Sequence, residues 1–131
     1  MVNILIKTDS KFNINRDRIK STIAKFLIEK KVKGHVEISI SIVGDRMMRS
    51  LNKKFRNTDT TTDVLSFPLS ADEGISTRFV DPPDNVLRLG DIIISYPQAI
   101  EQSWEENKMV YDKIDELIEH GLLHLMGIHH D

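Results

Sequence analysis

Cysteine is absent from the 131 residues, which excludes disulfide bonds and restricts any metal site to nitrogen and oxygen ligands. Aromatic residues make up only 6%, so isoleucine, leucine and valine must supply most of the core. No apolar stretch approaches the roughly 20 residues that a membrane-spanning helix needs. The apolar segment at residues 1–8 is too short for a signal peptide. We therefore expect a cytoplasmic protein that makes no contact with a membrane.

An excess of positive charge is also missing. The net charge is −2, so no global basic field attracts nucleic acid, and any such contact would need a local basic patch. The length fits one domain, residues 1–131, with one hydrophobic core. The oligomeric state does not follow from these properties.

Hydrophobic periodicity predicts the element order β, α, β, α, β, β, α, α, which is typical of an α+β (mixed α/β) domain with one four-stranded, mostly mixed sheet packed by helices. Strands are predicted at 2–6, 35–42, 63–67 and 89–95, with Pro68 ending the third. Helices are predicted after the N-cap Asn15, after Asp45, from the capping box at Ser95 and over about 109–126. Residues 71–88 have no period and contain a Pro-Pro pair, which predicts a loop. Phe55 and Phe67 are expected in the core.

Four of the five histidines fall in the last twelve residues, as His120, His124, His129 and His130. Residues four apart lie on one face of a helix, so His120 and His124 can bind the same metal ion. Gly127 can end the helix in a left-handed turn and return a third ligand to the ion. The spacing favours His130 over His129. Three protein ligands would leave a fourth position open, which is typical of a catalytic metal site.

Metzincin proteases place three zinc-binding histidines at this same spacing, but they need a glutamate after the first one as general base. This chain has Gly121 there, so a peptidase mechanism that relies on that glutamate is excluded. Without a side chain, Gly121 would let a neighbouring strand or a substrate approach the helix closely.

Three sequence blocks, LNKKFRNTDTTTDVLSFP, LGDIIIS and HGLLHLMGIHH, together resemble the YbeY family of bacterial endoribonucleases. The blocks occur in the family's order between residues 51 and 130. One departure is Ile128-His129, where the family has Tyr-Asp. The resemblance implies a metalloprotein with His120, His124 and His130 as zinc ligands at the end of the C-terminal helix, and with Arg56 as a functional arginine. It also implies a role in maturation of the 3′ end of 16S ribosomal RNA and in ribosome quality control, with the ribosome or small-subunit proteins as partners.

A zinc-dependent endoribonuclease specific for single-stranded RNA is therefore the expected function. The metal would supply Lewis acidity and acidify water, and Arg56 would bind a phosphate. Lys53, Lys54 and Arg56 could form a local basic rim along an RNA backbone. The general base stays open between the metal-bound hydroxide, Asp63 and His129.

Three alternatives also stay open at this point. The protein could be another metal-dependent hydrolase, a non-catalytic ribosome assembly factor with a structural zinc, or a domain without metal. Nickel or another divalent ion could replace zinc, since sites with three histidines also bind nickel, cobalt or copper.

Overall fold

The computed structural model describes residues 2–69 and 86–127. Within these ranges, the elements follow in the order β1 (Val2–Thr8), α1 (Arg16–Glu29), β2 (His35–Val43), α2 (Asp45–Arg56), β3 (Val64–Pro68), β4 (Val86–Ser95), α3 (Tyr96–Glu105) and α4 (Val110–Leu125). The predicted element order is confirmed. None of the helices described is both long and apolar enough to cross a bilayer.

The strands form one mixed sheet in the order β1-β2-β4-β3. The neighbours β1 and β2 are parallel, as are β2 and β4, while β3 runs antiparallel to β4 at one edge. Ile92 of β4 lies opposite both Ile40 of β2 and Ser66 of β3. The α+β class with a four-stranded mixed sheet, expected from the sequence, is therefore confirmed.

The hydrophobic core lies between one face of this sheet and two helices, α1 and α4. Because side chains alternate between the two faces of a strand, every second residue of β2 points into the core, as do Leu89, Ile92 and Ile94 of β4, where a register shift interrupts the alternation. Most of the large, fully buried side chains are isoleucines and leucines, namely Ile23, Leu27, Ile40, Ile42, Ile92, Ile94, Ile118, Leu122 and Leu125. Burying each one stabilises the fold by about 1.5–3 kcal/mol before entropy is subtracted. The expectation that aliphatic residues form most of the core is thus confirmed.

Two helices begin at the caps that the sequence predicts. The Asn15 side chain accepts a hydrogen bond from the backbone N–H of Arg18, and the Ser95 hydroxyl accepts one from the N–H of Gln98. Each cap satisfies an N–H group that has no partner within its helix, which is worth about 1 kcal/mol. Since Ser95 is also the last residue of β4, strand and helix follow one another without a loop.

Polar side chains hold the segment between α2 and β3. The Asp45 carboxylate accepts hydrogen bonds from the hydroxyls of Ser95 (2.8 Å) and Thr61 (3.0 Å). The buried amide of Asn52 donates to the carbonyl of Thr60 at 2.9 Å. The first residue of α2 and Asn52 in its second half are thereby tied to residues 60–61, which fixes where β3 begins.

Three details differ from the sequence predictions. Residues 86–88 belong to β4 rather than to a loop, because they pair with β2 from His35 onward. Pro68 lies inside β3 as its last residue, a position tolerated on an edge strand. Phe55 is 53% exposed and Phe67 is half-buried, so neither belongs to the core, contrary to the sequence prediction. Phe55 lies in the last turn of α2, against the ring of Phe67 on the edge strand.

Candidate metal centre and its surroundings

His120 and His124 lie one turn apart on the exposed side of α4. Their ring centroids are 4.7 Å apart, and their Nε2 atoms are separated by 3.2 Å. The predicted sharing of one helix face is confirmed. Both imidazoles present the same nitrogen to the same point at the surface.

This separation fits a shared metal ion. Two imidazole nitrogens bound at ~2.0–2.1 Å to one tetrahedral zinc ion would lie about 3.3 Å apart, close to the 3.2 Å between these Nε2 atoms. Without an ion, the same distance corresponds to a hydrogen bond in which one ring donates and the other accepts. Among the residues described, no three His, Asp or Glu side chains are grouped so that they could hold a metal.

The turn that would bring a third ligand back begins as the sequence predicts. Gly127 has a φ of +75°, in the left-handed region, and follows the C-cap of α4. Its N–H donates to the carbonyl of His124 at 3.1 Å. His129 and His130 lie outside the described residues, so the third ligand stays a prediction.

Gly121, the residue that excludes a standard zincin, allows the helix to lie close to the sheet. A Cβ atom built on Gly121 would lie 2.9–3.0 Å from three side-chain atoms of Ile92, in the central strand β4. The predicted close approach is confirmed, and the neighbour is a strand. This contact sets the depth at which α4, and with it His120, lies on the sheet.

A cleft of about 300 Å³ opens beside His120, between α4 and the start of β3. It is lined by Asp63, Val64, Lys113, Glu116, Leu117, Glu119, His120 and Leu123. Three carboxylates face one ammonium group in this lining. The cleft therefore favours a cation near His120, and a phosphate would need positive charge from elsewhere.

Asp63 is held in the cleft by its neighbours. The Gln102 side chain donates to Oδ2 of Asp63 at 3.1 Å. The N–H of Ser95 donates to the Asp63 carbonyl at 2.9 Å, just before β3 begins. Asp63, named from the sequence as a possible general base, therefore shares a cleft with His120.

The inner part of the cleft contains a charged network around Lys113, which is 5% exposed. Burial alone lowers the Lys113 pKa, but hydrogen bonds to Glu106 and Glu116 outweigh it and raise the pKa above its ordinary value. The hydrogen bond from Lys108 lowers the pKa of Glu116, which burial opposes and Lys113 reinforces. Lys113 and Glu116 therefore stay charged at neutral pH.

Glu119 behaves in the opposite way. Burial, together with the nearby carboxylates of Asp115 and Glu29, raises the pKa of Glu119. The carboxylate of Glu119 therefore takes up a proton more easily than that of Glu116.

Arg56 lies at the C-terminal end of α2, where a cation interacts favourably with the helix dipole. Its Nη2 donates to the carbonyl of Ser66 at 3.0 Å, and its guanidinium carbon lies 5.5 Å from the centre of the Phe67 ring. Val64, which lines the cleft, and Ser66 are two positions apart on β3, about 7 Å along the strand. The structure therefore places Arg56 beside the strand that forms one wall of the cleft.

Several residues of this site did not emerge from the sequence. Lys113, Glu116 and His120 recur at helical spacing on α4, so the periodicity that revealed the histidine pair could also have revealed the first two. Gln102 contacts Asp63 across 39 positions of the chain, and no local pattern signals that contact.

Comparison with known proteins identifies the family. The family model described as Endoribonuclease YbeY matches residues 4–131. A relative of that name from Thermoanaerobacter sp. (strain X514) is 36% identical over 99% of this chain and 86% of its own length. Another of the same name, from Anaeromyxobacter sp. (strain Fw109-5), is 43% identical over 95 residues, which are 72% of this chain and 44% of the relative.

The fold has a counterpart among solved structures. The solution structure of a Thermotoga maritima protein matches with a TM-score of 0.62 and 25% identity, covering 100% of this chain and 75% of that one. The resemblance seen in the three sequence blocks is thereby confirmed over nearly the whole chain, and the protein belongs to the Endoribonuclease YbeY family.

Proposed function

We propose that this protein is a zinc-dependent endoribonuclease that cleaves single-stranded RNA in the cytoplasm, with the 3′ end of 16S ribosomal RNA as its target. Membership of an endoribonuclease family supports a hydrolase of RNA phosphodiester bonds as the class of enzyme. The resemblance of the three sequence blocks supports ribosomal RNA maturation and ribosome quality control as the setting, with small-subunit proteins as partners.

The observation that carries this proposal is the 3.2 Å separation of the His120 and His124 Nε2 atoms at the open surface beside an acidic cleft. His120, His124 and His130 would hold the ion. When bound, it would supply Lewis acidity toward a phosphoryl oxygen and acidify water. His120 and His124 both lie on α4, and the packing of α4 into the core keeps their relative positions rigid.

Arg56 would bind the scissile phosphate. Its bond to the Ser66 carbonyl uses one of the five N–H donors of the guanidinium and orients the group beside β3. The charge-assisted bonds of the other donors would compensate the phosphate charge, which the carboxylates of the cleft repel. Lys53 and Lys54, exposed in the same helical turn, would hold the RNA backbone on either side.

Asp63 would accept the proton of the attacking nucleophile. It shares the cleft with His120, and its Oδ2 is held by the Gln102 amide. That bond fixes the orientation of the Asp63 side chain, as a general base requires.

The proposal is tested by replacing Arg56 and measuring cleavage of a single-stranded RNA oligonucleotide by the zinc-loaded protein. Arg56→Ala is expected to lower the rate about 10- to 100-fold, the effect of losing charge-assisted hydrogen bonds to the phosphate, with zinc content unchanged. The matched control is Arg46→Ala, which removes an exposed arginine from the other end of α2 and should leave the rate unchanged. Full activity in Arg56→Ala would remove Arg56 from the mechanism, and cleavage of casein but not RNA would show another hydrolase.

A further inference from the structure

The surface next to Arg56 carries two aromatic rings that the mechanism above does not use. Phe55 ends α2 and is 53% exposed, while Phe67 lies on the edge strand β3. Their ring centroids are 5.2 Å apart, with the planes tilted by 59°. The two rings thus form a small aromatic surface between α2 and β3, and the Phe55 ring is the more exposed of the two.

A positively charged side chain lies over each ring. The ammonium nitrogen of Lys54 lies 5.2 Å from the centre of the Phe55 ring, and the guanidinium carbon of Arg56 lies 5.5 Å from that of Phe67. These distances fall within the range of cation–π contacts. We call Lys54, Phe55, Arg56 and Phe67 the aromatic–basic patch.

Exposure of a single apolar side chain needs no explanation by itself. Trp104 is even more exposed, at 78%, but it lies in α3 beside the acidic Glu101 and Glu105. The environment of Phe55 differs, because both of its neighbours in sequence are cations and a second ring supports it. An exposed aromatic ring flanked by positive charges is what proteins present to an unpaired nucleic-acid base and its flanking phosphates.

We propose that the aromatic–basic patch is a subsite for one unpaired base of the RNA, which stacks on Phe55 while Lys54 and Arg56 contact the adjacent phosphates. The inference rests on the proposed function, since it names the part of the substrate that lies next to the cleaved bond. A subsite of this kind makes the protein select single-stranded RNA, because a base within a duplex cannot stack on a protein ring.

The test measures binding of the zinc-loaded protein to a short 2′-O-methyl oligoadenylate, checked on a gel to remain intact, and to the same backbone without bases. Phe55→Leu is expected to weaken binding to the oligoadenylate roughly 5- to 30-fold, the effect of losing one stacked base, and to leave binding to the abasic strand unchanged. Phe55→Tyr keeps a ring and should bind like the wild type. Trp104→Leu removes the other exposed aromatic side chain of residues 2–69 and 86–127 and should change neither affinity.

A second measurement reports stacking directly. The chain has one tryptophan, so the double variant Trp104→Phe, Phe55→Trp moves the sole indole into the patch. Its fluorescence should be quenched when oligoadenylate binds and should not be quenched by the abasic strand.

The outcomes separate this inference from the proposed function. Equal weakening of both probes by Phe55→Leu, or no quenching at position 55, would overturn the subsite while RNA cleavage by the wild type still stood. Binding of a protein partner that Phe55→Leu abolishes, without any effect on oligoadenylate, would show a docking surface instead. Failure of the wild type to bind or cleave RNA would overturn both proposals.

Discussion

Replacement of Gly121 by alanine tests whether the close contact between α4 and β4 is rigid. In an open helix, alanine is about 1 kcal/mol more favourable than glycine. Here the new Cβ would lie 2.9 Å from Cδ1 of Ile92 and 3.0 Å from Cγ1 and Cγ2. Ile92 has no exposed surface and a χ1 that β-branching restricts, so it cannot move aside. Overpacking of this kind costs about 1–3 kcal/mol, and at its upper end it exceeds the gain from helix propensity.

We therefore expect Gly121→Ala to lower the free energy of unfolding by about 1 kcal/mol net, measured by urea denaturation of the metal-free protein. Ile92→Val supplies the control, because it removes the Cδ1 atom that lies nearest to the new Cβ. Alone, it should cost about 0.5–1.5 kcal/mol; in the Gly121→Ala background it should cost less. A stabilised Gly121→Ala with no coupling to Ile92 would refute the rigid contact.

Two further predictions concern the metal and the response to pH. His124→Ala should abolish the rise in melting temperature that added zinc gives the wild type, whereas His35→Ala, which removes an exposed histidine of β2, should keep it; equal responses would argue against a metal at the pair. Hydrogen bonds from Lys113 to Glu106 and from Lys108 to Glu116 lower the pKa of both glutamates. The stability that these bonds contribute is therefore present above the ordinary glutamate pKa of about 4.3 and is lost as the pH falls through the lowered values. Lys113→Met should therefore flatten the loss of stability between about pH 5 and pH 3 in denaturation series; a slope as steep as that of the wild type would contradict the network.

The elements themselves were predictable where the signal is local. The strict alternation of isoleucines in β2 has a period of two that only a strand satisfies. The caps Asn15 and Ser95 bond to backbone groups three positions away, so their sequence patterns contain the whole interaction. Sheet order and the direction of β3 depend on pairings between distant segments, and no short window contains that information.

The same distinction divides the candidate site. The His120–His124 pair follows from the pitch of one helix, and the sequence predicts it fully. The exposure of Phe55 was missed, because its spacing on α2 suits a buried stripe, whereas in the structure the ring lies against Phe67 of the edge strand β3 and is 53% exposed. The contact of Gln102 with Asp63 depends on the tertiary position of α3 relative to the residue before β3, which no local pattern encodes.

The sheet order also affects how the protein folds. The two central strands, β2 and β4, pair residues as distant as Ile40 and Ile92, and closing such a long loop costs chain entropy before any contact repays it. Folding that depends on non-local pairing is slow compared with that of helical bundles. Because α4 rests on Ile92, we expect the histidine pair to reach its final position on the sheet, with His120 beside Asp63, only after that pairing has formed. High zinc affinity should therefore appear late in refolding, as a marker of the completed sheet.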